Sequence, residues 1–113
     1  DLLLRLTTSD VAVVPTHWIL EVTNGLQMAA RRRRLTAEDP PRLLARIRNQ
    51  PIQVDAETPI RGWSEIPSIA ARFDLTTYDA AYLELAMRLD STLATLDQDL
   101  ARAAREAGVT LFA

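Results

Sequence analysis

Four short β-rich runs, Asp10–Val14 (DVAVV), Ile52–Val54, Thr92–Thr95 and Val109–Phe112, stand apart from one another along the chain, separated by stretches that carry helix-start signals and helical spacing of apolar residues. This alternation restricts the fold class more than any other feature. Strands joined through helical crossovers pair in parallel and need helices on both faces of the sheet. The predicted order is α-β-α-α-α-α-β-α-β, with the stretch from residue 1 read as the first helix, and the 113 residues suffice for one α/β/α three-layer domain.

The predicted helix boundaries follow from capping chemistry. Thr16, after Pro15, caps a helix to about Arg34 with Ile19, Val22 and Leu26 on one side. Thr36 or Asp39 caps the next, where Pro40 suits a first helical position, and Thr58 followed by Pro59 repeats the signal. Pro67 falls inside that third helix and is expected to kink or split it. Thr76 with Asp79 opens a helix in the manner of a capping box, and Asp97 caps a last helix that stops at Gly108.

Composition narrows the function classes. Zero cysteines exclude disulfides and thiolate metal sites, leaving carboxylates and the single His17 as metal ligands. No apolar run is long enough to span a bilayer and no secretory leader is recognisable, so a cytoplasmic protein is expected. Only three glycines are present and none forms a phosphate loop, which makes a nucleotide-binding or phosphatase domain a weak reading. Residues 1–54 carry eight arginines and five acids, and residues 55–113 carry five arginines and ten acids. Such an asymmetric field suits a polyanionic ligand on one side and cations on the other.

The acids that stand out each open a predicted helix: Glu21 in PTHWILEVTN, Asp79 in LTTYDAAYLELA, and Asp97 with Asp99 in LATLDQDL. Helices that follow parallel strands begin at the carboxyl edge of the sheet, so their first turns converge there. A set of hard oxygen ligands without thiolate suits Mg²⁺, or Mn²⁺, in the hydrolysis of a phosphodiester. The plainer alternative is that Asp79 and Asp97 are capping residues and Asp99 a first-turn acid that complements the helix dipole.

Three blocks in this order, VVPTHWILEVTNGL at 13–26, LTTYDAAYLELAMR at 75–88 and LATLDQDLARAAREAGV at 93–109, resemble the PIN-domain family, specifically the VapC-type toxins of bacterial toxin–antitoxin pairs. The resemblance implies a Mg²⁺-dependent ribonuclease in which Glu21, Asp79 and Asp97 match metal-holding catalytic acids and Asp99 a fourth, less constant ligand. Asn24 and Thr95 match polar neighbours that orient the site. It also implies an RNA substrate, a cognate antitoxin and a homodimer. The family begins with a central strand bearing a further aspartate. Here that strand is expected to be missing, as in a member lacking roughly its first twenty residues, so that its place is closed, filled by another chain or left as two exposed edges. The rival expectation is therefore a truncated, non-catalytic PIN-like module that retains antitoxin binding or dimerisation.

Arg31–Arg34 end a helix, where cations complement its dipole, and are read as a solvated end rather than an RNA contact or an antitoxin-docking site. His17 is read as a first-turn residue outside the site, and Trp18 and Trp63 as core or interface anchors.

Overall fold

The structure, a computed structural model, describes residues 11–112 and the backbone of residues 5–8. The elements in chain order are β1 (Arg5–Thr8), β2 (Val11–Val14), α1 (Trp18–Arg31), α2 (Asp39–Arg48), β3 (Ile52–Val54), α3 (Thr58–Arg61), α4 (Glu65–Phe73), α5 (Thr77–Leu89), β4 (Thr92–Ala94) and α6 (Gln98–Ala107). The α/β class and the alternation of short strands with helices are as the sequence predicts.

The sheet runs β3-β2-β1-β4. β2 and β3 pair in parallel, with Val13 opposite Gln53. β1 is antiparallel to both neighbours, Leu6 lying opposite Val13 on one side and Leu93 on the other. Two expectations are corrected here. Residues 5–8 form a strand and not part of a first helix, and the sheet is mixed and not wholly parallel. The middle position, expected to lack a strand of this chain, is taken by residues 5–8. Leucines near the start favour a helix, but the two inner edges of β2 and β4 offer rows of backbone N–H and C=O groups that need partners, and pairing with them outweighs a weak local propensity. The expected strand at Val109–Phe112 reduces to one parallel bridge between Leu93 and Leu111, in which the Leu93 N–H donates to the Thr110 carbonyl at 2.9 Å and the Phe112 N–H to the Leu93 carbonyl at 2.9 Å.

α5 is the spine of the core. Every residue from Ala80 to Ala86 is buried, so the helix is surrounded on all sides. Around it pack Val13, Val14, Trp18, Val22, Leu26, Phe73, Leu93 and Leu100. Trp18 is a core residue, as expected, whereas Trp63 is 88 % exposed. Pro67 explains the position of Trp63. A proline ring clashes with the carbonyl four residues earlier and lacks an N–H, so it is tolerated only in a helix's first turn. The predicted helix accordingly splits before Pro67, between α3 and α4, and Trp63 falls in the break.

One charge is deeply buried in this core. Glu84 is 4 % exposed. Its carboxylate accepts from Arg88 Nε at 2.9 Å and Nη2 at 3.2 Å. The same guanidinium donates to Asp55 at 2.7 and 3.2 Å, tying α5 to the turn after β3. Arg88 is thus clamped by two bidentate carboxylates, the geometry that suits a guanidinium best.

Candidate active site

The first turns of α1, α5 and α6 supply the acids. Proline and threonine end β2 and release the chain into α1, whose first turn carries Glu21. Thr76 caps α5 by accepting from the Asp79 N–H at 3.1 Å, so the cap is made by the Thr76 hydroxyl and not by the Asp79 carboxylate. Asp97 caps α6, its Oδ2 accepting from the Leu100 N–H at 2.8 Å. Thr95 Oγ1 accepts from the Asp97 N–H at 3.0 Å and fixes the turn that presents Asp97. Asp99 lies exposed one residue into the first turn of the same helix.

Asp79 lies within the electrostatic reach of the other acids. Its carboxyl is held above the usual carboxylate range, first by partial burial and then by the negative charges of Asp97, Glu21 and Asp99. Three helix starts distant in sequence therefore share one electrostatic site, and their N-terminal dipole ends partly offset the crowding. The side chains do not close on a single point: among the described residues no three His, Asp or Glu groups lie close enough to clasp one ion. Asn24 is exposed and forms no hydrogen bond with Glu21 among the described residues.

Two residues that the sequence reading left outside the site take part in it. Tyr82, fully buried, donates its hydroxyl to Glu21 Oε1 and so links α5 to α1. Burial and this bond, with the charges of Glu21 and Asp79, push the phenol well above its ordinary value and keep it a donor. His17 Nε2 lies 3.1 Å from the Tyr78 carbonyl, an acceptor, so this nitrogen bears the proton; it is also 3.5 Å from Glu21 Oε1. The His17 ring packs against Tyr82 edge-on and against Tyr78 at a tilt. The available signal was spacing: His17 and Glu21 are i,i+4 on α1, and Asp79 and Tyr82 are i,i+3 on α5.

The profile of a family described as PIN domain matches residues 1–106. The chain belongs to the PIN-domain family. No curated protein matches it. PIN domains are generally metal-dependent nucleases, commonly found in toxin–antitoxin systems, and act on nucleic acid. In this PIN domain the convergent acids lie at the starts of α1, α5 and α6, and no described helix is long and apolar enough to cross a membrane. The donor set, carboxylate oxygens only, fits a hard divalent cation in kind and in charge.

Proposed function

We propose that this PIN domain is an endoribonuclease of the VapC toxin type, in which Glu21, Asp79, Asp97 and Asp99 hold Mg²⁺, or Mn²⁺, against an RNA phosphodiester. The observation that carries the reading is Asp79, whose carboxyl is crowded by acids from two other helix starts. Like charges gathered in a partly dehydrated place cost stability unless a cation joins them, so the arrangement is better suited to binding than to folding. When bound, such a cation supplies a low-pKa water and neutralises charge on the phosphate.

The chain's own groups have defined tasks. Tyr82 orients Glu21 by donating to its Oε1, as the outer partner of a ligand does, and the His17 ring lies beside the same oxygen. Thr95 fixes the turn of Asp97. Asp79 keeps a carboxylate unengaged by its own helix cap. Cleavage of RNA oligonucleotides with Mg²⁺, compared with Asp79→Asn, tests the reading; equal cleavage by the variant overturns it.

Toxin function also needs partners, and we propose a cognate antitoxin and a second copy of the chain, with the protein acting in the cytoplasm. An apolar groove of 480 Å³ between α1, α2 and the edge strand β3, walled by Trp18, Ile19, Leu44, Ile47 and Ile52, supports a partner segment docking there. The second reading is a non-catalytic module that retains these contacts alone. It is favoured by the lack of three convergent ligand side chains among the described residues. Calorimetry with Mg²⁺ or Mn²⁺ separates the two: binding abolished by Asp97→Asn supports the enzyme, and no binding supports the module.

A further inference from the structure

Beside the acids lies a second depression, of 230 Å³, and its walls include His17, Gly62, Ile66, Thr77, Tyr78 and Ala81. We propose that it is a nucleobase subsite, which seats the base of a nucleotide whose phosphate lies at the acids; the assignment rests on the ribonuclease reading above.

Three observations point to a base. The first is position: His17 is at once a wall of the depression and a neighbour of Glu21 at 3.5 Å, and Tyr78 directly precedes Asp79. The second is the wall chemistry. Tyr78 is 65 % exposed and turns a ring toward solvent, with the His17 ring 5.7 Å away and tilted by 57°. Ile66 and Ala81, almost wholly buried, make an apolar floor. A flat heteroaromatic ring stacks on such faces whatever its identity. The third is the polar edge. Thr58 also lines the depression, and its hydroxyl donates to Asp55 at 2.9 Å, so what it offers a ligand is a lone pair. It therefore accepts from a ring N–H or an exocyclic amine, while the Thr77 hydroxyl both donates and accepts. This pattern of a stacking wall with a few edge contacts is how single-stranded RNA bases are held.

The exposed Trp63 and Ile60 near Gly62 would also suit a protein partner. The His17 side chain, shared with the acidic site, favours RNA.

The test is an NMR titration of the full, metal-free chain with each of the four nucleoside 5′-monophosphates and with ribose 5-phosphate. At least one nucleotide is expected to bind at about millimolar strength and to shift the Gly62, Thr77 and Tyr78 amides. Tyr78→Ala, a change at an exposed residue whose folding the same spectra report, is expected to weaken binding about tenfold. Equal shifts with ribose 5-phosphate, no shifts at those amides, or a Tyr78→Ala variant that binds nucleotide normally while its sedimentation changes from dimer to monomer would each overturn the proposal. Because no metal or cleavage enters this assay, its failure leaves the nuclease reading to be decided by the Asp79→Asn comparison.

Discussion

Replacing Arg88 by methionine isolates the buried charge cluster. Methionine keeps most of the aliphatic stem, so lost packing contributes less than about 1.5 kcal/mol. What remains is the electrostatic loss. The wild-type Arg88 side chain is 14 % exposed and serves side chains that are 5 % (Glu84) and 10 % (Asp55) exposed. Removing one partner of a buried pair costs roughly 3–5 kcal/mol, because the other charge stays buried without compensation. Arg61 lies 3.9 Å from Glu84 and takes up part of the deficit, which places the expected loss near the lower end, about 3 kcal/mol. In urea this is a midpoint lowered by about 1.5 M with an unchanged slope. Adding Glu84→Gln should recover part of the loss, the signature of coupled sites. A pH series gives an independent arm. Burial by itself would raise the Asp55 pKa, but its bonds to Arg88 and Thr58 outweigh burial and hold it below the ordinary 3.8. A folded-state value below the unfolded one gives stability that is present above 3.8 and lost as pH falls through the folded value. The gap between wild type and Arg88→Met should therefore narrow in acid below that point. A loss under about 1 kcal/mol at pH 7, or a gap that widens in acid, would refute the reasoning.

Asp79→Asn is expected to raise the thermal midpoint at pH 7 without divalent cations, because a carboxyl whose folded pKa is raised destabilises the fold above that value and ceases to do so as pH falls through it; a lowered midpoint would contradict this. Mg²⁺ at about a hundred times its Kd should stabilise the wild type by about 2.7 kcal/mol and the variant far less, which differential scanning calorimetry reads directly. Asp97→Asn keeps an effective cap and should unfold like wild type while losing Mg²⁺ stabilisation, whereas Asp97→Ala should lose both, with about 1 kcal/mol for the cap. Tyr82→Phe removes the donor to Glu21 and should cost about 1.5 kcal/mol in chemical denaturation; no change would show that water replaces the phenol without loss.

Much of the local structure was readable from capping residues. Thr76, Asp97 and Gly108 mark helix ends where expected, because each signal is a contact made within a few residues. The break before α4 was predictable in kind but fell upstream of Pro67, since proline is accommodated by restarting the helix around it. The acids stand out in the sequence one helix start at a time, but what joins the elements around them does not: Glu21 and Tyr82 are 61 positions apart, and only the packing of α1 against α5 brings them together. β1 is not legible in the sequence for a related reason. Its four residues acquire strand conformation from neighbours at positions 11–14 and 92–94, which no local pattern reveals. Trp63 shows the converse: a large apolar residue promises burial, but backbone constraint at Pro67 sets it outside.

The antiparallel middle strand also gives the chain a schedule. β1 and β2 are near neighbours in sequence and close in the microsecond range of hairpins. The other side of β1 must wait for β4, since Arg5 pairs with Ala94. During synthesis, then, β3 can join the outer side of β2 midway, but the β1 flank stays open until β4 has emerged. The entropy of that long closure rises only logarithmically with length, so delay and not thermodynamic cost is the hazard. Any strand-forming segment that reaches the flank first competes for it, and the interval before β4 appears is when this protein is most exposed to mispairing.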